Sequence, residues 1–218
     1  LFCFAITSLS IMISVLLSRF LHPSDIRGEF IQASYRSSAA ILGIAIIQNL
    51  YGNAGMAPLM IIASVPLYNV MAVVVLSVFK PGQGKIDGTV LKRTLKGIVT
   101  NPIILGIAAG TLWSLLRLPF PKILDSTAGN LAKTATPLGL MAMGGSLHFG
   151  KAFSRLKASV ACTFMKLVGY EALFLPLAIR CGFTKDKLVS IIIMLGSAST
   201  VTCFVMAKNR GHEGSFSS

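Results

Sequence analysis

Gly55-Met-Ala-Pro-Leu-Met-Ile-Ile-Ala-Ser-Val-Pro-Leu-Tyr-Asn-Val-Met-Ala-Val-Val-Val-Leu-Ser-Val-Phe79 runs without one charged side chain. A helix rises about 1.5 Å per residue, so this stretch is longer than the ~30 Å hydrocarbon core of a bilayer. Working outward, six further apolar stretches of comparable character flank it: 1–21 and 34–51 before, then 98–116, 134–150, 158–179 and 188–207 after. Composition agrees, with 54% hydrophobic and only 12% charged residues in the 218-residue chain and a mean hydropathy of +0.75. Soluble domains carry about 25% charged residues. The expected class is an all-α integral membrane protein of seven transmembrane helices.

The formal charge of +13 would suggest nucleic acid in a soluble protein. Here the basic residues sit mainly in short connections, where the positive-inside rule accounts for them. No nucleic-acid partner is expected. Connections on one side hold Arg19, Arg27 and Arg36, the cluster Lys80 to Lys96, then Lys151, Arg155, Lys157, Lys208 and Arg210. The opposite set holds Arg117, Lys122, Lys133, Arg180, Lys185 and Lys187. Thirteen against six puts the first set in the cytoplasm, Leu1 outside and Ser218 inside. A multi-pass protein of the plasma membrane is the expected setting. The chain enters a span at its first residue and ends in a short polar segment, so it reads as a piece of a longer protein.

Hydrolase signatures such as HExxH and GxSxG are missing, and so is the GxxxxGK[ST] loop that would couple ATP. Cys3, Cys162, Cys181 and Cys203 show no metal-ligand spacing, and His22, His148 and His212 lie far apart at span ends. Neither a metal nor a cofactor is expected, and the chain is not read as an enzyme. Ionisable residues inside a span mark functional sites by default. Lys166 and Glu171 in span 158–179 qualify, as coupling or structural charges. Five residues apart, they lie about 140° around a helix from each other and need separate partners. Gly106 and Gly110 have the GxxxG spacing of close helix contact.

Two spans carry hydroxyls and glycine together. Span 34–51 has Ser34, Ser37, Ser38 and Gly43, and span 188–207 has Gly196, Ser197, Ser199, Thr200 and Thr202. Such residues permit an interrupted helix lining a cavity. The plainer alternative for either span is a tight helix interface of small residues.

At these residues the chain resembles the auxin efflux carrier family of membrane permeases, whose bacterial members include malate-type carriers. The likeness runs through Phe30-Ile-Gln-Ala-Ser-Tyr-Arg-Ser-Ser38, Ala40-Ile-Leu-Gly43 and Tyr51-Gly52. It resumes at Asn101-Pro102-Ile-Ile-Leu-Gly106, Thr136-Pro137-Leu-Gly-Leu-Met-Ala-Met-Gly144, and Gly196 through Lys208. The resemblance implies ten helices in two inverted five-helix repeats whose broken fourth helices cross at the transport site. On that layout 1–79 closes the first repeat, 80–97 is a cytoplasmic loop, and 98–218 is an incomplete second repeat. The first two helices and the last are then missing. Where the family commonly has Asn this chain has Ser38, and where it has proline this chain has Ala45 and Ala198.

The function so implied is secondary transport of a small organic anion, such as a carboxylate, by alternating access. Ser37, Ser38, Gly43, Ser197, Ser199 and Thr200 are the expected substrate-binding residues. A proton or cation gradient is the default driving force, and a homodimer stays open. Rival readings are a membrane sensor or scaffold without transport, an inactive truncated carrier, and an intramembrane enzyme.

Overall fold

The computed structural model describes residues 1–214 apart from 22–23, 83–87, 118, 120, 147–149 and 151–153, and apart from the side chains of Ile41, Thr89, Arg93 and Thr136. His22, Lys85, His148 and Lys151 therefore lie outside the described residues. Everything regular among those residues is helix. The helices are α1 Phe2–Ser18, α2 Arg27–Tyr35, α3 Ile44–Tyr51, α4 Ala57–Val78, α5 Gly88–Val99, α6 Pro102–Leu115 and α7 Lys122–Gly145. After these come α8 Leu156–Phe164, α9 Tyr170–Arg180, α10 Lys185–Gly196 and α11 Val201–Asn209. Wide π-helical turns at Ala39–Gly43 and Met165–Gly169 lead into α3 and join α8 to α9.

Three helical stretches are long and apolar enough to cross a membrane by themselves: Ala57–Val78, Leu156–Arg180 and Lys185–Asn209. A fourth arises if Val90–Val99 and Pro102–Leu115, bent by 47°, act as one span, and Phe2–Ser18 is a shorter apolar helix. Two boundaries differ from the hydropathy reading. The segment 80–97, expected as a loop, contains most of α5, because its polar residues fall on a helical period with Leu91, Leu95 and Val99. Residues Lys122–Gly145, which straddle the expected connection 117–133 and span 134–150, instead form the single helix α7. Nothing between Lys122 and Gly145 interrupts that helix, since Pro137 is accommodated within it.

Helix α1 packs against α2 and α4 through Thr7, Ser10, Ser14 and Ser18. The three serine hydroxyls turn back onto their own helix, with Ser10 donating to the Ile6 carbonyl at 2.9 Å, Ser14 to that of Ser10 at 2.7 Å and Ser18 to that of Val15 at 2.7 Å. Small side chains whose polar atoms are satisfied locally let backbones approach closely. One buried cluster joins Ile6, Ile47 and Met60 to Tyr170, Phe174, Ile191 and Met194. It holds α1, α3 and α4 against α9 and α10. A second joins Ala72, Val73 and Leu76 of α4 to Met206 and Ala207 of α11. Outward residues such as Met12, Leu59, Ile62, Leu105 and Leu112 are large, apolar and exposed, as a lipid-facing surface requires.

A candidate transport site where two broken helices cross

Helix α2 ends at Tyr35, and Arg36 turns extended at φ −85°, ψ 127° before the chain resumes helix at Ala39. Helix α10 ends at Gly196, and Ser197 and Thr200 are extended at ψ 153° and 151° before α11 begins. Both breaks form without a proline at Ala45 or Ala198, because each break answers the other. The Ser38 amide donates to the Ala198 carbonyl at 2.9 Å, and Ser37 Oγ donates to the Leu195 carbonyl at 3.3 Å. Ser199 Oγ reaches the Ala33 carbonyl at 3.4 Å. Backbone groups freed by one break are thus satisfied by the other, which is the condition for non-helical chain at membrane depth.

Lys166 completes the junction. Its Nζ donates to the Arg36 carbonyl at 2.5 Å and to the Ala33 carbonyl at 3.4 Å. The ammonium therefore sits on the C-terminal carbonyls of α2, the negative end of that half-helix. The π-helical turn that carries Lys166 is where the α8–α9 span widens. Glu171 lies one turn further on, against the end of α10. Its Oε1 occupies a place 2.8 Å from where a Cβ on Gly196 would stand. Both Glu171 carboxyl oxygens and Ser197 Oγ are enclosed and have no hydrogen-bond partner among the described residues.

Arg36 was counted among the cytoplasmic connections from sequence, and the structure corrects this. It is buried within the break. One Nη donates to Asn69 Oδ1 at 2.8 Å and to Thr202 Oγ1 at 2.9 Å, and the other approaches Met206 Sδ at 3.0 Å. Every one of these partners is neutral. Asn69 is itself aimed by its Nδ2, which donates to the Val65 carbonyl at 2.9 Å.

A cavity of about 610 Å³ opens on this junction, lined by Arg36, Ser37, Ser38, Tyr68, Asn69, Ser199, Thr200 and Thr202, with apolar walls from α6, α7 and α11. A second, of about 460 Å³, lies against Lys166, Cys162, Gly196, Ser197 and Ala198. Ser199 lines both, so the second break stands between them. Of the residues expected from sequence, Ser37, Ser38, Ser199 and Thr200 face the larger cavity, and Ser197 faces the smaller. Gly43 lines neither; a Cβ placed there would stand 3.4 Å from the Ile193 and Met60 side chains. Thr200 caps α11, accepting from the Thr202 amide at 3.1 Å, and the two hydroxyls are themselves hydrogen-bonded. Arg36 and Asn69 were missed as site residues. Their signal was present, in an arginine inside a candidate broken span and an asparagine in an otherwise apolar one.

Among the described residues no group of three or more His, Cys, Asp or Glu side chains is arranged to hold a metal ion. No curated protein and no solved structure matches the chain significantly. A family model described as membrane transport protein matches residues 1–218, the entire chain. That family comprises transporters rather than enzymes. It brings with it a small-molecule substrate and a lipid environment. The apolar helices are those of a multi-pass membrane protein. With both broken helices in place, the chain belongs to the membrane transport protein family, that of the auxin efflux carriers which its residues resemble.

Proposed function

We propose that the chain is a secondary carrier of a small organic anion, and that Arg36 holds the carboxylate. The observation carrying this reading is a buried guanidinium whose hydrogen-bond partners among the described residues are all neutral, on the wall of a 610 Å³ cavity. An uncompensated cation in such a place is costly, and a site built for an anion recovers that cost when occupied. The start of α11 and the helix resuming at Ala39 both point their N-terminal ends at the junction, adding positive potential there. Ser37, Ser38, Ser199 and Thr200 supply hydroxyls for a carboxylate's remaining lone pairs.

Two cavities separated by one break support alternating access, with the Ser197–Thr200 segment as the partition that opens to one cavity or the other. Glu171 and Lys166 are the groups through which a proton or cation gradient would act. Ordinary inverted-repeat architecture and a plasma-membrane location with Leu1 outside complete the reading.

Uptake of radiolabelled malate and indole-3-acetate into vesicles carrying the protein tests it. Saturable uptake is expected for at least one, lost in Arg36→Gln and partly kept in Arg36→Lys, which preserves charge but not the planar fork. A charge-assisted hydrogen bond contributes about 1.5–3 kcal/mol, or roughly a tenfold to hundredfold change in affinity. Arg36→Gln transporting like the parent would remove the basis for an anion site here.

A further inference from the structure

A third cavity, at the opposite end of α11 from the crossing, collects positive charge from separate parts of the chain. It measures about 690 Å³ and lies where the ends of α4, α5 and α11 meet the start of α6. Lys80, Lys96, Lys208 and Arg210 line it together with Thr100 and Asn101, and no carboxylate is among its described lining residues. Cationic excess at one membrane face is general; its convergence from several segments onto one concavity is particular to this fold.

The cavity is constructed around Arg210. One Nη donates to Ser77 Oγ at 3.0 Å and the other to the Gly97 carbonyl at 2.9 Å. A side chain at Gly97 would run into that guanidinium, so glycine is what lets Arg210 reach across. Both partners are neutral, and burial pushes the Arg210 pKa below its ordinary value. Asn101 caps α6 by accepting from the Ile103 amide at 2.9 Å, so the site consists of side chains rather than an open helix end.

Helix α5 adds a second, independent observation. Thr94 is buried and Ile98 packs onto α4, so that face holds the helix to the protein. On the other face Leu91, Leu95 and Val99, one turn apart, are 70%, 62% and 62% exposed. An amphipathic helix with basic residues beside an uncovered apolar stripe is the pattern that lies in a membrane interface. We propose that this cavity binds the phosphate headgroup of an anionic phospholipid, whose acyl chains lie along Leu91, Leu95 and Val99. The lysines and Arg210 supply the charge that a phosphodiester requires, and basic pockets between transmembrane helices take such headgroups. A free phosphate would use the cations but not the stripe, so the stripe favours the lipid.

Binding is read by native mass spectrometry and thermal stability of the purified protein, with phosphatidylglycerol, phosphatidylcholine, glycerol phosphate and inorganic phosphate as separate additions. Phosphatidylglycerol should bind at least tenfold more tightly than phosphatidylcholine. Lys96→Gln with Lys208→Gln should remove that preference. Leu91→Ser with Leu95→Ser should weaken phosphatidylglycerol while leaving glycerol phosphate unchanged. For the parent alone, raising salt from 0.1 to 0.5 M should reduce the preference, since exposed charges are screened. A preference for phosphatidylglycerol that survives both the lysine substitutions and salt overturns the site. Inorganic phosphate binding as tightly as the lipid, with no effect of the leucine substitutions, assigns the cavity to a soluble anion and overturns the lipid.

Discussion

Replacing Lys166 by methionine keeps most of the side-chain volume and removes only the ammonium. In the parent that ammonium donates to the Arg36 carbonyl at 2.5 Å and to the Ala33 carbonyl at 3.4 Å. Both carbonyls belong to the C-terminal end of α2, where the intrahelical ladder has run out. A hydrogen bond involving a charged group contributes about 1.5–3 kcal/mol, and the long second contact adds little at that distance. The positive charge at a helix C-terminus adds about 0.3–1 kcal/mol. Against this stands the cost of keeping an ammonium out of water, which methionine relieves. The Ala33 carbonyl retains Ser199 Oγ, whereas the short bond to Arg36 has no substitute in the structure. We therefore expect Lys166→Met to destabilise the fold by about 1–3 kcal/mol, read as unfolding by denaturant in mild detergent. Lys166→Arg should not rescue fully, because a planar fork replaces a compact donor at a site shaped for the latter. Parent-like stability in Lys166→Met would show that desolvation cancels the bonds, and Lys166 would then owe its place to transport rather than to the break.

Glu171→Met removes two enclosed carboxyl oxygens that have no partner among the described residues, and should raise stability by about 1–3 kcal/mol in the same assay while impairing transport. Tyr170→Phe deletes a hydroxyl that bonds Ser14 Oγ at 2.5 Å and the Ser10 carbonyl at 3.0 Å. Membrane hydrogen bonds average near 0.6 kcal/mol, so a loss of roughly 0.5–1.5 kcal/mol is expected in the thermal or denaturant midpoint. Cysteines introduced singly at Gly88 and Asp125, in a background without the native thiols, read topology: an impermeant reagent applied to intact cells should label position 125 and spare position 88. The reverse pattern would invert the proposed orientation.

Apolar runs such as Gly55–Phe79 determined that this is a helical membrane protein, because only a helix satisfies its own backbone in lipid. Hydroxyl and glycine clusters around Ser37 and Ser199 marked the two spans that break, since such residues tolerate interrupted helix. Helix boundaries were less legible. The polar start of α7 looked like a connection, and α5 hid its amphipathic period among lysines. Only the tertiary structure decided how the breaks hold without proline: the Ser38 amide pairs with Ala198 and Lys166 sits on the end of α2, contacts spanning well over a hundred residues of chain. Only the fold, too, moved Arg36 from a presumed cytoplasmic loop to the cavity wall. Its place inside span 34–51 was legible in sequence, but its partners were not, because they depend on where Asn69 and Thr202 come to lie.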